Sequence, residues 1–172
     1  RRKTKQAQRG RKRFGRSVRQ VERFGDCITC DHANMTNTDE AAVTGETDAL
    51  ILLGAATKFK TCVPVACKDA AETEYAIRYF VGEQSVKLIY SDNAANIKKA
   101  ARDMGLIAEF SLPGVPKSNH LAERTVQDIL QGTRTFLVQA GLPICFWPYA
   151  ASCFCFNSNV FESAANDRPG VQ

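Results

Sequence analysis

The chain has 172 residues, 44% of them hydrophobic, which suits one domain with a real core. It holds no apolar run of the roughly 18 residues that a membrane helix needs, and its arginine-rich start has no apolar segment behind it. These features lead to the expectation of no secretory signal and of a soluble, intracellular protein with no membrane partner. The net charge of +5 conceals two opposed parts: residues 1–23 hold eleven Lys or Arg against Glu22 alone, and the remainder holds twelve bases against seventeen acids.

The first 23 residues therefore read as a flexible basic arm or linker. Its densest stretch, Arg11, Lys12 and Arg13, suits contacts with nucleic-acid phosphates, since clustered cations release counterions on binding a polyanion. Nuclear import and a solvated tail are the competing uses. Next, "DCITCDHA" alternates and is rich in strand formers, predicting a strand over about 26–33. Cys27 and Cys30 have a C-x-x-C spacing, yet no second pair follows and alternation would turn the thiols to opposite faces, which argues against zinc. Cys62, Cys67, Cys145, Cys153 and Cys155 lie in apolar runs and read as reduced core residues.

A polar, turn-rich stretch over 34–48 reads as a surface loop. "ALILLGAA" and "FKTCVPVAC" then predict two strands joined in a hairpin by a short Thr57–Lys58 turn. Asp69, with Glu72 three residues on, marks a helix start; Thr73, Ala76, Ile77, Phe80 and Val81 share one helical face, and Gly82 marks the end. "VKLIYSDN" is almost wholly apolar until Asp92 and Asn93, the pattern of a strand buried on both faces. A second helix closes at Gly105, "LIAEFSL" supplies a fifth strand, and "PGVPKSN" is a loop. A long helix follows from about Asn119 to Gly141, and the last apolar segment is helical with Pro143 in its first turn. The order βββαβαβαα implies an α/β fold: a mixed five-stranded sheet with helices on its faces.

Three acids stand where packing alone does not need them. Asp31 is within or at the end of the first strand, and Asp92 ends the fourth, at the sheet edge where open α/β folds bind ligands. Glu123 flanks the apolar stripe of Ala122, Val126, Ile129, Leu130, Thr133, Phe136, Leu137 and Ala140 near the start of the long helix. Singly, each has an ordinary explanation as a turn residue, a helix cap or a favourable charge on a helix dipole. Converged, three carboxylates repel one another unless a cation holds them, and oxygen donors suit Mg²⁺ or Mn²⁺. Two such ions support phosphoryl transfer.

On "GDCITCDHA", "LIYSDNA" and "PGVPKSNHLAERTVQDIL", with "GLPICFWPYAASCFCFNSNV" following, the chain resembles a retroviral-type integrase catalytic core, most closely that of copia-type retrotransposon polyproteins. The resemblance runs from about Phe24 to Val160, which places the core at 24–162 and a tail at 163–172. It implies a ribonuclease H-like fold with its first three strands antiparallel, and an acidic triad of Asp31, Asp92 and Glu123 binding two Mg²⁺ (or Mn²⁺) ions. Asp26 is the rival first acid; the resemblance favours Asp31, because such cores often carry a Gly-acid pair several residues earlier, as Gly25–Asp26 does here.

The implied activity is DNA integration: trimming of element cDNA 3′ ends and their joining to a target duplex, by a homo-oligomer in the nucleus, made in the cytoplasm as part of a polyprotein. Asn93, Lys117, Ser118, Asn119, His120 and Arg124 are the expected DNA contacts around the triad. The chain departs from the family in having 30 residues between Asp92 and Glu123, fewer than is common there, and His120 where a glycine is usual. A same-fold nuclease and a catalytically decayed DNA-binding copy are the alternatives.

Overall fold

A computed structural model of the chain describes residues 21–35, 41–111 and 120–166, with side chains as far as Phe161. The expected arm, including Arg11, Lys12 and Arg13, and the expected contacts Lys117, Ser118 and Asn119 lie outside the described residues. The elements run β1 (Ile28–Asn34), β2 (Asp48–Gly54), β3 (Lys60–Val65), α1 (Ala70–Val81), β4 (Ile89–Ser91), α2 (Ala95–Asp103), β5 (Ala108–Phe110), α3 (His120–Ala140), a 3₁₀ turn at Ile144–Phe146, and α4 (Trp147–Asn166). The order is the expected one, and α4 continues past the expected boundary at 162.

The sheet order is β3-β2-β1-β4-β5. β1 pairs antiparallel with β2 and β2 with β3, while β1–β4 and β4–β5 are parallel. β1 is therefore central, and strand alternation divides its side chains between two cores. Ile28 and Cys30 join Leu50, Leu52, Ile77, Phe80, Ile89 and Ile97 beneath α1 and α2. Ala33 joins Ala49, Ile51, Ile129, Leu137 and Trp147 beneath α3 and α4. Each fully buried Ile or Leu stabilises the fold by roughly 1.5–3 kcal/mol, and a one-residue slip of β1 would exchange its two faces, setting Asp31 against the core beneath α1 and α2.

Helix α1 buries the five residues its periodicity predicts, and Asp69 caps it by accepting from the Glu72 N–H at 2.8 Å. Helix α3 buries Ala122, Thr125, Ile129, Thr133 and Leu137. Thr125 was not on the expected stripe and Ala140 is exposed; Thr125 is tolerated inside because its hydroxyl donates to the Leu121 carbonyl at 2.8 Å. Gly132 lets α4 approach closely: a Cβ there would lie 2.2 Å from the Phe154 ring. Proline 143 precedes the 3₁₀ turn instead of lying in a helix, and the proline in the first turn of α4 is Pro148.

Other expectations need correction. The hairpin loop is Ala55–Phe59, longer than two residues, with Lys58 left-handed at φ 62° and its N–H bonded to the Gly54 carbonyl. Tyr90 is half-buried, so β4 is not covered equally on both faces. Cys62 and Cys155 are core residues as expected, whereas Cys67 and Cys153 are exposed and Cys145 is intermediate; Cys153 stands on α4 two residues before buried Cys155, about 200° away around the helix. All seven cysteines are free.

The outer edge of β3 is closed by α4. Asn159 accepts from the Lys60 N–H at 3.0 Å and donates to the Lys60 carbonyl at 2.9 Å, occupying the groups a further strand would pair with. No single described helix is long and apolar enough to cross a membrane.

Candidate active site

The sheet places two of the predicted acids side by side. The β1–β4 ladder ends at Cys30–Ser91, so Asp31 and Asp92 each stand one residue beyond the same rung. Asp31 is opposite Ile51 on β2, hence on the face covered by α3, and Glu123 lies in the first turn of α3 over that face. Asp92 also shapes the chain after it: its Oδ1 accepts from the Ala94 N–H at 3.3 Å, just before α2 begins.

These placements are visible in Asp31 itself. Burial, then the negative charge of Asp92, push its carboxyl up to about 6, with Glu123 adding to the rise. The His32 N–H bonded to the carboxylate and the Lys68 ammonium oppose the rise without cancelling it. Lys68 also pairs with Asp48 at 3.0 Å, so its charge is shared. A partly buried carboxylate under repulsion from two others is a donor set suited to a hard divalent cation, which would relieve that repulsion. The three carboxylates do not converge on one point: among the described residues, no three His, Cys, Asp or Glu side chains are close enough together to enclose a metal ion.

Asp26 is arranged differently. It precedes β1, at the opposite end from Asp31, and its carboxylate pairs with Lys87 at 2.7 Å while accepting from the N–H groups of Glu22 and Arg23 at 3.0 and 2.9 Å. Those partners, the Lys87 ammonium first, hold its carboxyl far below the usual range. Gly25 enables this turn: φ is +86°, and a Cβ would meet the Ser85 carbonyl oxygen at 2.3 Å. The Gly-acid pair therefore ties the start of β1 to the segment before β4, with the Lys87 N–H donating to the Gly25 carbonyl at 2.8 Å. It also gives the Lys87 ammonium a partner.

Of the expected DNA contacts among the described residues, Asn93 and Arg124 are exposed beside Asp92 and Glu123, and exposed His120 opens α3. Cys27 and Cys30 are both buried, with thiols pushed up chiefly by burial, which disfavours the thiolate that zinc requires. Two features escaped sequence reasoning. Lys68 reaches Asp31 only through the fold, and Asn96, four residues after Asp92, bonds His32 on the opposite face of the sheet.

The backbone is similar to solved retroviral structures. A chain of the simian T-cell lymphotropic virus intasome, solved by cryo-electron microscopy in complex with PP2A regulatory subunit B56 gamma, superposes with a TM-score of 0.67 at 12% identity, over 90% of this chain. The present chain spans 58% of the length of that one. The catalytic core domain of BIV integrase superposes with a TM-score of 0.53 at 11% identity, covering 84% of this chain and 99% of that one. The five-stranded mixed sheet and its helices thus have the integrase-core, ribonuclease H-like fold. No protein-family model matches the sequence, and no curated protein sequence does.

Proposed function

We propose that the chain is an integrase-type polynucleotidyl transferase, of the copia kind, that trims DNA 3′ ends and joins them to a target duplex. The observation that carries this reading is the juxtaposition of Asp31, midway along β1, and Asp92, just past β4, each one residue beyond the last rung joining those parallel strands, with Glu123 near enough to help raise the Asp31 carboxyl. Asp31, Asp92 and Glu123 would hold two Mg²⁺ or Mn²⁺ ions. The chemistry such ions would supply there is activation of an attacking hydroxyl and stabilisation of a departing phosphodiester oxygen. The protein's own part is to fix three carboxylates on a rigid sheet edge and one helix turn, and to present the DNA backbone to them. Asn93, His120 and Arg124 flank the acids for that purpose, and Lys117, Ser118, Asn119 and the Arg11–Arg13 stretch of the arm supply further phosphate contacts. Joining two DNA ends suits a homo-oligomer acting in the nucleus.

The test uses labelled duplexes carrying element-end sequences, with Mn²⁺ present. Cleaved and joined products that disappear in Asp92→Asn and Glu123→Gln support the proposal. Cleavage with no joined product would reassign the chain as a nuclease of the same fold. A second reading, a non-catalytic DNA-binding module, is favoured by the unconverged carboxylates and by His120 at the start of α3. DNA binding that survives both substitutions, with no turnover in the parent chain, would establish it.

A further inference from the structure

One side of α4 is explained by the core and the other is not. Trp147, Ala151 and Cys155 are buried against the sheet and α3. On the opposite side Tyr149, Cys153, Phe156 and Val160 recur at intervals of four, three and four, which sets them within about 60° of one another around the helix. All four are exposed, Tyr149 by 57% and Phe156 by 68%. No charged residue occurs from Trp147 to Phe161, whereas a solvated helix face ordinarily carries several. Apolar residues at four-three spacing form the seam of a helix that packs against another helix.

The apolar surface continues off the seam. Phe156 and Val160 stand on one wall of an open groove along β3, about 1040 Å³ in volume, and the stacked rings of Tyr75 and Tyr79 on α1 stand on the other. With Phe59, also in the groove, the exposed parts of these rings and of Tyr149 amount to roughly 600 Å² of aromatic surface. The largest apolar patch on a typical monomer is about 300–600 Å², and a stable dimer buries about 800 Å² per partner. Asp31, Asp92 and Glu123 do not line this groove, so a partner seated here leaves the candidate active site open.

The seam is complementary to itself. Laid antiparallel on the α4 of a second copy, it sets Tyr149 opposite the second copy's Val160 and Phe156 opposite its Cys153, so that a large side chain meets a small one at every level. A parallel pairing would instead set Tyr149 on Tyr149 and Phe156 on Phe156. An uncharged seam also brings no like charges together across a two-fold axis. We infer that the chain forms a two-fold dimer by antiparallel pairing of α4 with the α4 of a second copy. The inference gives the homo-oligomer of the proposed function a defined interface; it rests on the surface of α4 and not on the metal-site reading.

The experiment is sedimentation velocity of the full chain, nuclease-treated and kept reduced, over a concentration series. A species of twice 18.9 kDa is expected. A parent that stays monomeric up to about 100 μM, above the dissociation constants of interfaces of standard size, overturns the inference. Phe156→Glu should weaken association by about 100-fold or more, as loss of a central aromatic anchor does, and unchanged association also overturns it. Charge exchange reads the direction of pairing. Tyr149→Lys and Val160→Glu should each weaken the dimer; combined, they set a new cation opposite a new anion on the second copy and should restore most of the lost affinity. Within one chain the two positions lie about 16 Å apart along α4 and do not pair with each other. A double variant weaker than both single ones rejects the antiparallel dimer. All three side chains are at least half exposed, so the variants should keep the parent's circular dichroism. A dimer that turns over no DNA keeps this interface and removes only the transferase reading.

Discussion

Two aspartates five residues apart, one before β1 and one within it, have opposite fates. At the leading end, Asp26 meets an ammonium and two backbone N–H groups and is held ionised. Toward the trailing end, Asp31 is partly buried beside Asp92 and Glu123, and its charge is opposed. The contrast separates an acid that helps hold the fold from one that the fold holds at a cost. Carboxylates kept under repulsion beside a sheet edge are what a cation site needs, whereas fully partnered ones stabilise the fold.

The contrast can be broken most sharply by activity. Asp31→Asn should reduce cleavage and joining by at least about 10³-fold, since several kcal/mol of charge stabilisation is lost. Asp26→Asn should leave both nearly unchanged in the same gel assay, and equal losses at the two positions would end the distinction. Next in size is ligand linkage. Mn²⁺ at about 100 times its dissociation constant should add about 2.7 kcal/mol to the parent's unfolding free energy and little to Asp31→Asn, as measured by urea denaturation.

Without metal the sign reverses. The folded carboxyl of Asp31, at about 6, lies above the ordinary value of about 3.9, so the native state holds this proton more tightly than the unfolded chain does. The stabilisation from the bound proton is complete below pH ~4 and is lost as pH rises through about 6. Metal-free Asp31→Asn should therefore be more stable than the parent near pH 8 by about 1–2 kcal/mol, after allowance for solvent screening, with the advantage gone by pH ~4. Asp26→Asn should behave inversely. Its depressed carboxyl stabilises the fold above pH ~4 and loses that effect as pH falls further. Its substitution should lower the melting temperature modestly at neutral pH, and less in about 1 M salt.

Much of the fold is legible along the chain because it depends on local periodicity. The buried face of α1, its Asp69 cap and the run of α3 from His120 follow from residues within a few turns of one another. The misses occur where a side chain's fate depends on a distant neighbour. Thr125 is buried because α3 packs on the sheet, its hydroxyl satisfied within its own helix, and Cys67 and Cys153 lie outside in runs that look apolar. Gly132 has no special role in the sequence of α3; Phe154 of α4 gives it one.

The candidate site divides in the same way. By itself the sequence determined the alternation of β1, the element order and the places of Asp31 on the first strand, Asp92 at the end of the fourth and Glu123 near the start of the long helix, since these follow from side-chain spacing. Only the tertiary structure shows how differently Asp26 and Asp31 are placed, although they are chemically identical and close in sequence. Their difference is made by Lys87 and two N–H groups at one end of the strand, and by Asp92, Glu123 and burial at the other. Electrostatic environment is a sum over spatial neighbours, and the charges that distinguish the two, Lys87 for Asp26 and Asp92 and Glu123 for Asp31, lie more than 60 residues away in the chain, where no local pattern encodes them.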